Sequence, residues 1–234
     1  MHVVTGASSG IGMGIARGLV ARGETVIAVA RRAHLLEELA ASAPERVQPL
    51  PTDITTERGI GEIVEACDSK PIRSIVHSAG SLVDLVPWAD LTPEVLLGHL
   101  AVHVAAPIAL TAALASSSRV ERMVFIDSYS ATTPRHGWSA YSIVKSAAQM
   151  SARSARQEFP NARVLRVFPG AVDTQLLDLV LGSRTEAAET YLRLQAEGKV
   201  SSPELVGQEI ADLLLDTPDA VLESEEVWTV GHLA

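Results

Sequence analysis

The opening of the chain constrains its fold more than any other stretch. The apolar run His2-Val3-Val4 meets the turn Thr5-Gly6-Ala7-Ser8-Ser9-Gly10-Ile11-Gly12, after which Ile11, Ile15, Leu19 and Val20 recur at helical spacing until Gly23. This reads as strand, tight loop, helix. Glycines there permit a tight turn and a close backbone approach, while the helix start offers unpaired N–H groups and partial positive charge, as a pyrophosphate requires. The spacing is TGxxxGxG rather than GxGxxG, and taken alone the glycines also fit a structural turn.

The same alternation continues. Strands are expected at 25–30, 47–50, Ile72–His77, Val120–Ile126, Arg163–Phe168 and 226–230. Helices are expected at 33–42, 55–67, 92–118, Ser139–Glu158 and 203–215, with Pro107 kinking the long one and a polar, partly helical insertion at about 174–198. The strands are apolar throughout rather than at every second residue, which indicates a parallel sheet covered on both faces. With 47% hydrophobic residues and no linker or repeat, the 234 residues form one α/β doubly wound domain spanning 1–234.

Charge and composition narrow the partners. A formal net charge of −9 opposes non-specific contact with nucleic acid. Cys67 is the single cysteine, so neither an internal disulfide nor a cysteine zinc site is available. His99 and His103 stand four apart on one helix, a metal-ligand spacing, yet no glutamate of an HExxH pattern and no third ligand accompany them; no metal is expected. The most apolar long stretch, 100–115, falls short of the roughly 20 residues of a membrane helix, so no membrane span is expected. No leader pattern precedes the first strand, and a cytoplasmic location is expected.

Tyr141 and Lys145 lie four residues apart, on one face of a helix, with Ser128 upstream after an apolar run. A lysine ammonium beside a tyrosine would favour the phenolate and bring its pKa of about 10 towards neutrality, a plausible proton-transfer site. Without a cofactor loop the same pair is an ordinary surface contact.

TGASSGIG together with YSIVK resembles the short-chain dehydrogenase/reductase family, in its short one-domain branch. Motif order matches from Val3 to about Thr174, and the remainder follows the family's general plan. The resemblance implies a Rossmann-like sheet of about seven strands with a nicotinamide cofactor. Gly6, Gly10 and Gly12 would wrap its pyrophosphate, with Ser8 and Ile11 lining the loop. At the tip of the second strand Ala30 is followed by Arg31 and Arg32, with no acid to repel a ribose phosphate, so NADP(H) is expected in preference to NAD(H). The bland reading is that the arginines begin a solvated helix face. Asp53, followed by Ile54, would touch the adenine, cap the next helix, or both. Ser78-Ala79-Gly80 stands where relatives have Asn-Ala-Gly, and Ala79 and Gly80 keep the small residues that admit the cofactor. Pro169, Gly170, Val172 and Thr174 resemble the segment that holds the carboxamide.

In the implied chemistry Ser128, thirteen residues before Tyr141, donates to the substrate oxygen, Tyr141 exchanges the proton, and Lys145 lowers the Tyr141 pKa and holds the ribose. Ser130 is the neighbour that spacing disfavours. His103 replaces an asparagine in the context LxVNxxxP, and a histidine there can donate, accept and become charged near pH 6.5; it is a substitute in the proton relay, a satisfied structural histidine, or the mark of weakened or lost activity. The leading function is an oxidoreductase moving a hydride between NADP(H) and a carbonyl or secondary alcohol of a small molecule. The alternative is a catalytically weakened, nucleotide-binding sensor or interaction protein; nucleotide-sugar epimerase chemistry ranks below both, because the C-terminal portion is short. The resemblance also implies a homodimer or homotetramer built on helices 92–118 and 139–158. Expected pocket walls are Leu82, Val83, Trp88, His136, Trp138, Leu176, Leu177 and Tyr191.

Overall fold

The computed structural model of the chain describes residues 1–81, 85–182, 186–224 and 227–231. Seven parallel strands form one sheet: β1 (His2–Thr5), β2 (Val26–Ala30), β3 (Val47–Pro51), β4 (Ile72–His77), β5 (Val120–Ile126), β6 (Arg163–Phe168) and β7 (Val227–Thr229), in the order β3-β2-β1-β4-β5-β6-β7. The last strand is shorter than the expected 226–230, and Glu226 lies outside the described residues.

Alternate side chains of each central strand enter opposite cores, which is why the strands are apolar at every position. Val4, Ala28, Val76, Val124 and Leu165 pack on one side with α1 (Gly10–Ala21) and α2 (Ala33–Ser42). Their neighbours Val3, Ile27, Ile75, Met123 and Val164 pack on the other, against α3 (Glu57–Cys67). The long helical run Pro93–Ser117 covers this second face as α4 (Pro93–Leu100), a π-helical turn (Ala101–Ala105) and α5 (Ala106–Ser117), and α6 (Ser139–Glu158) lies beside it.

The run of 25 residues exceeds the stretch 100–115 that the sequence singles out, and by length and composition it is long enough to cross a membrane; a third of its most apolar window is buried, Leu110 and Leu114 fully. Pro107 does not simply kink it. Proline lacks the N–H that would bond the His103 carbonyl four residues back, and the helix widens over 101–105 instead.

The expected insertion resolves into α7 (Gln175–Gly182) and α8 (Glu186–Ala196), then α9 (Pro203–Asp216) and α10 (Asp219–Ser224) complete the chain. α9 crosses α1 with backbone almost on backbone: a Cβ added to Gly207 would overlap the Gly14 carbonyl, and one added to Gly14 would overlap that of Pro203. The close crossing ties the last part of the fold to the helix that begins at the glycine loop.

Candidate active site

β1 and β4 are neighbours whose following helices lie on opposite faces, so the loops leaving their carboxyl ends part. A cleft of about 1260 Å³ opens there. All the candidate residues of the sequence, from Gly6 to Thr174, line it.

The glycine loop forms a backbone cradle. Gly6 and Gly10 adopt φ of +71° and +53°, in the left-handed region. A Cβ on Gly6 would meet the Ala79 Cα at 2.7 Å, and one on Gly12 the Gly6 carbonyl oxygen at 2.5 Å, so neither position takes a side chain. Ser9 makes no side-chain cap, which leaves the leading N–H groups of α1 for an anion. Thr5 braces the cradle: its hydroxyl accepts from the Ser78 and Ala79 N–H groups at 3.2 and 3.1 Å and donates to the Val76 carbonyl. These features fit a dinucleotide pyrophosphate.

Beside β2, Arg32 donates from Nε and Nη2 to the Ser8 hydroxyl at 3.1 and 2.9 Å, and from Nη2 to Ser9 at 2.5 Å. Arg31 and Arg32 both line the cleft, exposed at its rim, with Arg32 at the N-cap of α2. Asp53 is not the cap of α3. Thr56 is, accepting from the Gly59 N–H at 3.0 Å, while Asp53 accepts from the backbone and hydroxyl of Thr55 at 2.9 and 2.7 Å. Those two bonds, ahead of the charge of Arg31, hold its carboxyl below the usual range. At the other end Thr174 reaches back to the loop, its Cγ2 lying 3.3 Å from where a Gly10 Cβ would stand.

The ends of β5 and α6 bring Ser128, Tyr141 and Lys145 together. Ser128 opens the 3₁₀ turn Tyr129–Ala131; its Oγ accepts from the Ser130 N–H at 3.3 Å and hydrogen-bonds the Tyr141 phenol. Lys145 donates to the Ile126 carbonyl at 3.2 Å, and its ammonium stands 5.8 Å from the Tyr141 ring centre. Burial lowers the Lys145 pKa to about 8 against the opposing charge of Asp127. The sequence expectation that Lys145 draws Tyr141 towards neutrality does not hold in this geometry. Burial raises the phenol above its ordinary 10 and outweighs the Ser128 hydrogen bond, with the Asp127 carboxylate adding to the rise.

Asp127 is a residue that sequence reasoning passed over. It forms a buried ion pair with Arg166 at 3.0 Å and accepts from the Ser128 N–H at 2.7 Å and from Gln149 at 3.3 Å. The pair fixes the strand end that carries Ser128. Its signal was Arg166, a cation inside the apolar strand RVLRVF, which needs a buried carboxylate.

His103 sits in the π-helical turn, its Nε2 accepting from the Ser81 N–H at 3.1 Å, while His99 Nδ1 pairs with the Ser81 hydroxyl at 2.6 Å. Both imidazoles thus anchor the loop after β4. Burial, helped by the Lys145 charge, depresses the His103 pKa to about 3, so it does not charge near pH 6.5 as expected. His103, Pro107, Ile126 and Lys145 surround a second cavity of about 20 Å³, the size of one water.

The pocket walls differ from expectation. Leu176, Leu177 and Tyr191 line the cleft; Trp88 and His136 are exposed elsewhere, and Leu82 and Val83 lie outside the described residues. Trp138 is buried behind the wall, edge-on to Tyr141 and stacked on Tyr191.

The family described as short chain dehydrogenase matches residues 1–181. Benzil reductase ((S)-benzoin forming) of Bacillus cereus is 25% identical over 91% of this chain and 92% of its own length. Sepiapterin reductase of Xenopus tropicalis is 28% identical over 91% and 90%. Among solved structures, L-sorbose reductase from Gluconobacter frateurii, complexed with NADPH and L-sorbose, superposes with a TM-score of 0.82 at 25% identity, covering 99% of this chain and 94% of that one.

Proposed function

Because the chain belongs to the short-chain dehydrogenase/reductase family, we propose that it is an NADP(H)-dependent oxidoreductase acting on a small-molecule carbonyl or secondary alcohol, with Tyr141 as the acid/base. The observation that carries this reading is the meeting of Ser128, Tyr141 and Lys145 with the glycine cradle in one cleft. When bound, the nicotinamide would supply the hydride for the carbonyl carbon. Ser128 and Tyr141 would hold the carbonyl oxygen between two hydroxyls, and Tyr141 would deliver its proton from Oη as charge develops there. Its raised pKa keeps that proton in place at neutral pH, the state a reductase needs. Lys145, with a pKa near 8, is suited to resupplying the proton. The small cavity beside it would take a water within reach of the His103 carbonyl, which Pro107 cannot bond, so we assign His103 to the relay through its backbone and to the loop anchor through its ring.

The preference for NADP(H) rests on Arg31 and Arg32 at the cleft rim and is supported by the NADPH carried by the sorbose reductase. Ser78 and His103, which depart from the residues usual in the family, favour a second reading, a nucleotide binder with little turnover. One experiment separates them: NADPH and NADH affinity, then NADPH oxidation over a carbonyl panel, for wild type and Tyr141→Phe. The expected result is NADPH bound at least about tenfold more tightly than NADH and turnover cut roughly 10²- to 10⁴-fold by the substitution with NADPH affinity kept. Absence of Tyr141-dependent turnover across the panel would leave the binder. A homodimer or homotetramer is proposed on the exposed Leu97, Ile108 and Met150 of α4, α5 and α6; a monomer by light scattering would refute it.

A further inference from the structure

Arg135 lies in the segment between β5 and α6 and lines the cleft, although it plays no part in the cofactor cradle or the proton chain described above. Its guanidinium carbon stands 5.7 Å from the centre of the Trp138 ring, and Trp138, only 1% exposed, cannot move away. Among the described residues Arg135 makes no hydrogen bond and no ion pair, in a chain with 28 acidic residues against 19 basic ones. Asp173 and Asp178 also line the cleft, yet neither pairs with it. An arginine that is stacked in place and left without a carboxylate is prepared for one that arrives with a ligand.

The surroundings say where such a ligand would lie. Trp138 stacks on Tyr191, with ring centres 6.4 Å apart and planes 4° from parallel, and meets Tyr141 edge-on at 5.7 Å. One buried indole therefore sets the positions of Arg135, of Tyr191 and of the reacting tyrosine. The Tyr191 phenol, raised in pKa first by burial, is pushed further up by Tyr141 and down by Arg135, so it stands within electrostatic reach of both. Leu176, Val180 and Leu194 add apolar surface to this wall, alongside the polar Gln175, Asp178 and Thr190. The cleft thus brings together hydroxyls at Ser128 and Tyr141, apolar side chains at Leu176, Val180 and Leu194, and a cation at Arg135 near the Tyr191 phenol.

We propose that Arg135 is a specificity-determining residue, and that the substrates are apolar or aromatic oxo acids whose carboxylate pairs with Arg135 while the ketone lies at Tyr141. This rests on the reductase reading of the site and narrows its substrate class. A guanidinium takes a carboxylate through two parallel N–H···O bonds, whereas the corresponding ester accepts less strongly and brings no charge.

The test compares phenylglyoxylate and 4-oxo-4-phenylbutanoate with their methyl esters. NADPH oxidation gives the acid-to-ester ratio of kcat/KM, and calorimetric titration into the NADP⁺-loaded protein gives the ratio of affinities. Wild type is expected to favour at least one acid over its ester by roughly tenfold or more, the range of a charge-assisted pair. In Arg135→Ala and Arg135→Gln both ratios should fall towards one, and Arg135→Lys should recover part of them. Gln keeps the stem over Trp138, and the wild-type ratio needs no variant at all. A wild type that prefers both esters or neither form, or ratios untouched by the substitutions, would overturn the proposal. If no probe is reduced but acid binding still depends on Arg135, the reductase reading fails and the carboxylate site stands. If esters and acids are reduced alike through Tyr141, the reverse holds.

Discussion

At the scale of single residues, the site is a set of contacts that leave one another little room. Gly80 is the clearest case: a Cβ added there would lie 2.9 Å from Cε1 of His103, so the bulk of the imidazole is accommodated by the missing side chain opposite. Gly80→Ala should cost about 1–3 kcal/mol and displace the ring from Ser81. His103→Asn in the same chain should return most of that stability, because the smaller amide withdraws from the clash; a thermal-unfolding double-mutant cycle measures the coupling, and additive effects would refute the contact. The glycines, Tyr141 and Lys145 were legible from sequence because each meaning is local: a turn needs φ above zero, and one helix face brings together residues four apart. The Asp127–Arg166 pair was not, since its partners lie 39 residues apart, one just past the end of β5 and the other in β6. Nor was the neutrality of His103, which is set by burial. Trp138 looked like a wall residue for the same reason: sequence distance placed it near the site, and packing put it one layer behind.

At the scale of elements, what was legible was the alternation and what escaped was the way elements touch. Strand apolarity told of a sheet covered twice, and the seven strands follow. The π-helical turn could not be read beyond the proline, because a missing N–H marks where a helix is disturbed without saying whether it kinks or widens. The α1–α9 crossing was equally hidden: Gly14 and Gly207 are ordinary helical glycines until their backbones are seen in contact. That crossing gives a prediction far from the chemistry. Gly207→Val should force α9 away from α1, lower stability by about 3 kcal/mol or more, and weaken NADPH binding through the displaced start of α1. Calorimetry with and without NADPH would check it; a variant as stable and as tight as wild type would show that the helices can part freely.

At the scale of the whole molecule, three of the four buried histidines shape the response to acid. Burial lowers the pKa of His2 to about 4, against the opposing Glu24 hydrogen bond and charge, and those of His77 and His103 to about 3. Below their usual 6.5 the unfolded chain takes up protons that the folded chain refuses. Their contribution is complete above about pH 6.5 and is lost as pH falls through the window down to 4 for His2 and 3 for the other two, each histidine costing about 1.4 kcal/mol per pH unit there. Urea unfolding at pH 7.5 and 5.0 should show the loss, and His77→Gln, which keeps a group able to bond Thr111, should flatten the slope by one proton. Equal stability at the two pH values would contradict the buried, neutral state of all three. The sheet's outer margin has a consequence of another kind. In β3 the Thr52 N–H donates inward to Ala30, so by the two-residue period the amides of positions 48 and 50 also face β2, whereas those of 49 and 51 face out. Both outward positions are proline, Pro49 and Pro51. That rim has no hydrogen to offer where a stray strand would need one, so crowded or newly made copies of this chain are kept from adding sheet to sheet along it.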